Sequence, residues 1–179
     1  MESEIITAYV GIGSNLGNRA GNLLLAVRGL TEANFIIHRL SAVYETEPVD
    51  VSNDQPNYLN MVAEIHLSNI SPSQMMARML RIEYLLGRRR IEPKAPRTVD
   101  LDLLIYGNQI VETDFLTIPH PRMHFRNFVL VPFNEIAPQV LHPVLNLTVQ
   151  ELFDNSTDVS IVERWKPLIE ESNVISEKN

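Results

Sequence analysis

The sequence predicts an α+β domain in which helices cover one face of a mostly antiparallel sheet. The predicted elements follow the order strand, helix, strand, strand, helix, strand, which is the order of the split βαβ sandwich. The strands are short and end at turn residues. The 179-residue chain is 45% apolar and 21% charged, as one globular domain would be. The second face of such a sheet would be open to a ligand.

The first half of the chain contains two predicted strands on either side of a helix. Residues 5–10 are rich in strand formers and precede a glycine-rich turn at 11–17. Beyond Asn18, apolar residues recur at helical spacing over about three turns. Residues 35–44 are β-branched and aromatic enough for the second strand, and the proline-containing residues 45–57 predict a long loop.

The second half continues with a strand, a helix and a strand. Residues 58–67 predict the third strand. A helix should begin at Ser71, because Pro72 follows it and Gln74 completes a capping box, and it should end at Gly87. The remaining predicted elements are, in order, a loop at 88–98, a strand at 99–106, a hairpin partner near 109–111 and a short helix at 123–132.

The composition excludes several classes of protein. The chain has no cysteine, so it can form neither disulfides nor thiolate metal sites, and it has no cysteine nucleophile. No apolar run has transmembrane length and no leader stands at the amino terminus, so we expect a soluble cytoplasmic protein without a membrane partner. Residues 1–160 are predicted to form one domain, and the polar residues 161–179 a partly ordered tail.

The charge is uneven along the chain. The net charge of −7 argues against a nucleic-acid partner. Seven of the 15 basic residues nevertheless fall within twenty positions: Arg78, Arg81, Arg88, Arg89, Arg90, Lys94 and Arg97. Such a cluster in an acidic protein indicates a compact anionic ligand. A solvated surface patch is the alternative.

Two carboxylates, Asp100 and Asp102, are the first candidates for chemistry. On a strand they share one face, with their Cβ atoms roughly 6.5–7 Å apart. Carboxylates so placed can hold Mg²⁺ ions, although two solvated acids on an open face would show the same spacing. Arg97 and the arginine-rich loop before it favour the metal site, because phosphoryl transfer combines metal-binding acids with guanidinium groups.

Two further motifs fit known binding patterns poorly. The glycine-rich turn at 11–17 matches neither the dinucleotide fingerprint nor a P-loop, and it predicts a tight turn before a helix. His120 and His124 could bind zinc if both lay on one helix. Alternatively, His120 extends the anion site together with Arg122 and Arg126.

A flat heterocycle is a second ligand that the sequence can accommodate. Tyr58 and Phe128 offer two aromatic faces, and Asn60 offers an amide with both a donor and an acceptor. The same three residues would ordinarily be assigned to packing, and nothing in their spacing brings them together.

Several segments together resemble one known family. They are YVGIGSNLG at 9–17, YETEP at 44–48, DQPNYLN at 54–60, PRTVDLDLL at 96–104, IPHPR at 118–122 and RNFVL at 126–130. The family is 6-hydroxymethyl-7,8-dihydropterin pyrophosphokinase, an enzyme of folate biosynthesis, and the resemblance extends over residues 8–138. It implies a ferredoxin-like βαββαβ sandwich with mobile loops over the active site. It also implies transfer of the β,γ-diphosphate of ATP to the pterin hydroxymethyl group, which releases AMP.

The resemblance also implies roles for individual residues. Asp100 and Asp102 would bind two Mg²⁺ ions with ATP, and with Arg88 and Arg97 they would be the catalytic residues. The implied nucleotide-binding residues are Glu83, Arg88, Lys94, Arg97, Thr117, His120 and Arg126. The implied pterin-binding residues are Thr46, Tyr58, Asn60, Asp100 and Phe128. The loop before Arg97 departs from the family in two ways. The family usually has a basic residue where this chain has Pro93, next to Lys94, and some members have an aromatic residue in that loop where this chain has Lys94 and Ala95.

Two other functions remain as alternatives. A ferredoxin-like module could bind RNA or a small molecule without catalysis, but the strand at 58–67 lacks the interleaved aromatic residues of an RNA-binding sheet. A Mg²⁺-dependent phosphohydrolase could use the same acids with water as the nucleophile. We expect a monomer whose substrates are ATP and 6-hydroxymethyl-7,8-dihydropterin.

Overall fold

The computed structural model describes residues 4–48, 55–87 and 96–167. Its strands are β1 (Ile6–Ser14), β2 (Ile36–Leu40), β3 (Tyr44–Thr46), β4 (Tyr58–Leu67), β5 (Asp100–Tyr106), β6 (Val111–Glu112), β7 (Thr117–Ile118) and β8 (Val162–Arg164). Its helices are α1 (Arg19–Glu32), α2 (Pro72–Leu85), α3 (Asn127–Ile136) and α4 (Val149–Asp154), and a single 3₁₀ turn spans Met123–Phe125.

The main sheet is antiparallel and has the order β5-β1-β4-β3-β8, with β2 also pairing with β4. The predicted α+β class and the βαββαβ order are confirmed, because β2 and β3 together occupy the place of the second strand. Along the part of the chain that the structure describes, no helix is both long and apolar enough to span a membrane.

The second predicted strand is interrupted. Leu40 pairs with Ala63 and Tyr44 pairs with Asn60. Three residues separate these two pairs between β2 and β3, but only two separate them on β4, so the chain forms a bulge here. The hydroxyl of Ser41 accepts the Val62 N–H at 2.9 Å and completes the hydrogen bonding across this bulge. Strand pairing also continues to Thr46, where the sequence predicts a loop.

Successive side chains along each strand point to opposite faces of the sheet, and each face has its own hydrophobic core. Ala8, Val10 and Ile12 of β1 face the helices α1 and α2 and belong to the larger core. On the opposite face, the Tyr9 ring packs against Phe133 of α3 with ring centroids 4.7 Å apart. Helix α3 therefore covers part of the face that the sequence predicts to be open, and the ligand cavity is confined to the rest.

Helix α2 confirms the prediction from its capping residues. The Ser71 hydroxyl accepts the Gln74 N–H at 3.2 Å, and the Gln74 side chain accepts the Ser71 N–H at 2.8 Å. Gly87, at a φ of +89°, follows the end of the helix. Helix α1 has 14 residues, about four turns, and is longer than predicted.

Two elements near the carboxyl end differ from the prediction. The expected hairpin partner of β5 does not pair with it: β6 pairs with β7 instead, and the N–H of His120 donates to the Leu104 carbonyl at 2.8 Å. The expected helix from Met123 is a 3₁₀ turn followed by α3, because Arg126 is extended between them. The Asp158 carboxylate caps α3 by accepting the Asn127 N–H at 2.7 Å.

The sheet continues into the segment predicted as a tail. β8 pairs with β3, and the Trp165 N–H donates to the Val43 carbonyl at 2.9 Å. The indole of Trp165 packs against the larger core. Residues 162–165 are thus part of the folded sheet, and residues 168–179 lie outside the described residues.

Candidate active site

Asp100 and Asp102 lie on one face of β5, as the strand alternation predicts, and both line a cavity between the sheet and the start of α3. In the sheet register they stand opposite Gly13 and Gly11 of β1. Because neither glycine has a side chain, the floor of the cavity beside the two carboxylates is open backbone. Gly11 and Gly13 therefore leave space beside the two carboxylates, a role that the predicted turn at 11–17 does not include.

Most of the predicted site residues meet in this cavity. Its lining includes Thr46, Tyr58, Asn60, Arg97, Asp100, Asp102, Arg126 and Phe128. They come from β3, β4, the segment before β5, β5 itself and the start of α3, so only the tertiary fold brings them together. Arg122 also lines the cavity, so the predicted extension of the anion site includes it.

The electrostatics beside the two aspartates reflect burial and, after it, the crowding of like charges. Burial, followed by the charges of Asp100 and Glu83, raises the pKa of Asp102 to about 7. Burial alone would lower the pKa of the Arg97 guanidinium, but its ion pair with Asp100 outweighs burial and raises that pKa. This end of the cavity thus has carboxylate oxygens suited to a hard cation, next to a permanently charged guanidinium.

The side of the cavity formed by β3 and β4 has groups suited to a planar ligand. The Asn60 side chain, 7% exposed, donates through Nδ2 to the Thr46 hydroxyl at 2.8 Å. This hydrogen bond orients the Asn60 amide, and its Oδ1 lies 2.9 Å from where a Cβ on Gly13 would stand. Tyr58 and Phe128 line the same space, and the Arg126 guanidinium lies 5.5 Å from the centre of the Phe128 ring.

His120 is neutral at physiological pH. Burial, assisted by the charges of Arg126 and Arg122, lowers its pKa to about 4. Its Nδ1 accepts the Arg122 N–H at 3.2 Å, so the ring proton is on Nε2. His120 can therefore donate a hydrogen bond to an anion but does not add positive charge. It precedes the 3₁₀ turn that contains His124, so the helical spacing required for the zinc alternative is absent.

Asn15 connects three segments around the cavity. Its Oδ1 accepts the Arg97 N–H at 2.7 Å, and its own N–H donates to the Arg97 carbonyl at 3.1 Å. Its Nδ2 donates to Gln55 Oε1 at 3.3 Å. Asn15 is 1% exposed, and its partly buried hydrogen bonds fix the position of the Arg97 backbone. Sequence reasoning misses this role, because an asparagine in a glycine-rich turn is usually explained by the turn alone.

Arg19 is a second residue that sequence reasoning misses. At the start of α1, its Nη1 lies 2.6 Å from Glu45 Oε1 and donates to the Asn57 carbonyl at 2.8 Å. Glu45 belongs to β3 and Asn57 precedes β4, so this side chain holds together the two segments that carry Thr46 and Tyr58.

The other predicted site residues lie outside the cavity lining or outside the described residues. Glu83 is buried, at 2% exposed, and its Oε1 accepts the Leu101 N–H at 2.7 Å, so it supports β5 from the helix side. Thr117 is exposed on β7. Arg88 and Lys94 fall among the residues that the structure does not describe.

Comparisons with known proteins decide the family. The sequence model of 7,8-dihydro-6-hydroxymethylpterin-pyrophosphokinase matches residues 9–138. This chain belongs to that family. It is a diphosphotransferase of folate biosynthesis that pyrophosphorylates 6-hydroxymethyl-dihydropterin. The resemblance that the motifs indicate is confirmed.

Individual members of the pyrophosphokinase family are similar over most of this chain. The 2-amino-4-hydroxy-6-hydroxymethyldihydropteridine pyrophosphokinases of Haemophilus influenzae and Bacillus subtilis are 40% and 39% identical to it, over 78% and 89% of the chain and 86% and 90% of their own lengths. The folic acid synthesis protein fol1 of Pneumocystis carinii is 36% identical over 86% of the chain, which spans 20% of that protein.

Solved structures agree on the fold. Wild-type HPPK-DHPS of Plasmodium falciparum with pteroate superimposes with a TM-score of 0.68 and 16% identity, over 86% of this chain and 43% of that one. At this identity the likeness concerns the fold alone, and it supports the ferredoxin-like arrangement.

Proposed function

We propose that the chain transfers the β,γ-diphosphate of ATP to the hydroxymethyl oxygen of 6-hydroxymethyl-7,8-dihydropterin. The new bond joins that oxygen to the β-phosphorus, the bond between the β-phosphorus and the oxygen of the α-phosphate breaks, and AMP and a proton leave. One observation carries the proposal: a single cavity is lined by paired carboxylates on β5, by guanidinium groups, and by an aromatic and amide set from β3, β4 and α3.

Asp100 and Asp102 would hold Mg²⁺, two ions with ATP. Their fit to a hard cation follows from this environment, because a bound cation would offset both the burial and the repulsion that raise the pKa of Asp102. Mg²⁺ supplies charge neutralisation for the triphosphate. Glu83 would support this pair indirectly, since it fixes the N–H of Leu101 between the two aspartates.

The basic side chains would bind and orient the phosphates. Arg97, positioned by Asn15 and paired with Asp100, would stabilise the charge that develops on the transferred group. Arg126 and the neutral His120, which can donate through Nε2, would contact the nucleotide, with Thr117 nearby. Arg88 and Lys94 complete the proposed nucleotide set from the segment outside the described residues.

The pterin would lie on the side of the cavity formed by β3, β4 and the start of α3. Tyr58 and Phe128 would stack on its ring, Asn60 and Thr46 would bind its edge, and the hydroxymethyl group would point toward Asp100. Alignment of this group with the β-phosphorus is the main contribution of the protein, because the reaction needs two bound reactants held in line. We propose a monomer as the working form.

Phosphorus NMR of the protein with ATP, Mg²⁺ and the pterin tests the proposal. We expect AMP and a pterin diphosphate, both dependent on the pterin, and loss of both products in Asp102→Asn with the fold intact by circular dichroism. ADP or free phosphate formed without the pterin would instead indicate the phosphohydrolase alternative. Binding of both ligands by the folded protein without turnover would indicate a binding module.

A further inference from the structure

A second group of metal-ligating side chains lies on the same face of the sheet as the cavity, further along β4. Glu64 is four residues beyond Asn60 on β4, about 13 Å along the strand. Its side chain is 5% exposed, which is unusual for a carboxylate. His66 lies two residues further on the same strand and face, and His38 is on the neighbouring strand β2. We refer to these three residues as the His38–Glu64–His66 cluster.

The two oxygens of the Glu64 carboxylate have different partners. Oε2 accepts hydrogen bonds from Arg39, at 2.7 Å from Nη2 and 2.9 Å from Nε. Oε1 faces the imidazoles, with His66 Nε2 at 3.1 Å and His38 Nε2 at 4.0 Å. Arg39 therefore orients the carboxylate so that one oxygen is directed at both histidines.

The two imidazoles are arranged in parallel beside this oxygen. Their ring centroids are 4.2 Å apart and their planes differ by 15°. One ligand atom from each of the three residues lies within 4.8 Å of the other two. In a tetrahedral zinc site with bonds of about 2.0–2.2 Å, ligand atoms are about 3.3 Å apart. Glu64 Oε1 and His66 Nε2, which are hydrogen-bonded at 3.1 Å, are already close to that spacing. His38, whose side chain is 51% exposed, has room to rotate and close the remaining gap.

We propose that the His38–Glu64–His66 cluster is a binding site for a zinc-class divalent transition-metal ion, separate from the proposed Mg²⁺–ATP site. Two imidazole nitrogens and one carboxylate oxygen are a donor set that zinc and its neighbours prefer, whereas Mg²⁺ prefers oxygen ligands. Water would complete the coordination. The ion would join strand β2 to the central strand β4, so its effect would be on stability rather than on diphosphate transfer.

Arg39 makes the proposal specific. Its guanidinium fixes the carboxylate, but its positive charge also repels a cation bound at the other oxygen. Glutamine at this position keeps a hydrogen-bond donor for the carboxylate but removes the charge, so Arg39→Gln should strengthen metal binding, whereas removing a ligand should weaken it. His38 and Arg39 are adjacent on the same strand and both are about half exposed, so substitutions at these positions form a matched pair with opposite expected signs.

The experiment is titration of the full-length protein with Co²⁺, followed by its visible d–d absorption, and with Zn²⁺ by calorimetry. Wild type should bind one ion of four-coordinate spectral type. His38→Ala and His66→Ala should weaken binding at least about tenfold, and Arg39→Gln should strengthen it. The double variant Asp100→Asn, Asp102→Asn should retain the site, since it removes only the carboxylates of the cavity. Zn²⁺ should raise the Tm of wild type but not that of His38→Ala.

Three outcomes would overturn the proposal. They are absence of binding in wild type, binding that both histidine variants retain unchanged, and binding that is lost in the double aspartate variant. His38 is half exposed, so His38→Ala is expected to fold, and the test does not depend on a substitution at the buried Glu64.

Discussion

Gly13 is the position at which one added methyl group tests the pterin end of the cavity most directly. It pairs with Asn60 on β4 and with Asp100 on β5. A Cβ at Gly13 would stand 2.9 Å from Asn60 Oδ1, and no other side chain is as close to it. Gly13→Ala should therefore displace the Asn60 amide, since contacts this short are strongly repulsive.

The magnitude follows from the hydrogen bonds that the displaced amide loses. Asn60 donates to the Thr46 hydroxyl at 2.8 Å in a buried setting, and moving the amide by several tenths of an ångström disrupts that geometry. Loss of this bond should cost about 1–3 kcal/mol of unfolding free energy. The displaced amide also loses its proposed hydrogen bonds to the pterin, which are worth a similar amount. At about 1.4 kcal/mol per factor of ten, we expect the KM for the pterin to rise about five- to a hundredfold, with little change in the KM for ATP.

Gly11→Ala is the matched control. Gly11 is two residues earlier on the same strand and also lines the cavity, but a Cβ there would meet Leu104 and Asp102 at 3.7 and 3.8 Å, which are ordinary contacts. The measurement is steady-state AMP release with the pterin varied at saturating ATP, accompanied by thermal unfolding. Equal increases in KM for the two alanine variants would refute the reasoning.

A double-mutant cycle separates displacement of the amide from simple loss of space. In the Asn60→Ala background the clashing oxygen is absent, so Gly13→Ala should add little to the cost already caused by Asn60→Ala. Full additivity of the two substitutions would mean that the new methyl group acts by filling the cavity.

Three further substitutions test the acidic end. Burial, followed by the charges of Asp100 and Glu83, raises the pKa of Asp102 to about 7. Protonation of Asp102 therefore stabilises the folded protein. This stabilisation is complete below about pH 4 and is lost as the pH rises through about 7. In EDTA, the Tm of Asp102→Asn relative to wild type should therefore increase from pH 5 to pH 8; a decrease would contradict this. Arg97→Ala should lower kcat at least about a hundredfold while changing ATP affinity less, as single-turnover kinetics and equilibrium binding would show; an unchanged kcat would exclude Arg97 from the transition state. Asn15→Ala should cost about 1–3 kcal/mol of unfolding free energy and also lower kcat, because the Arg97 N–H loses its acceptor, the Asn15 Oδ1; wild-type kcat in a destabilised variant would limit Asn15 to a structural role.

Local signals account for the elements that the sequence predicts correctly. The Ser71, Pro72 and Gln74 pattern defines the start of α2 because all three act within one helical turn. The alternation around Asp100 and Asp102 places both carboxylates on one face because side-chain direction in a strand depends only on position. The predicted residues in the cavity follow from the family resemblance, since their spacing along the chain does not bring them together.

Elements whose partners are distant in sequence are the ones predicted wrongly or missed. The hairpin partner of β5 fails because β6 pairs with β7, while the chain beyond β7 runs beside β5. The role of Asn15 is invisible because Arg97 lies 82 residues away, and the cap of α3 because Asp158 lies 31 residues from Asn127.

The sequence by itself determined the fold class, the family and the two acids with the arginine beside them, because each depends on local pattern or on motifs in order. The tertiary structure alone decided which side chains share the cavity, how α3 restricts it, and that Glu64 lies buried between two histidines and Arg39. Burial and neighbouring charge set the pKa of Asp102 and of His120, and both arise when strands distant in sequence pack together.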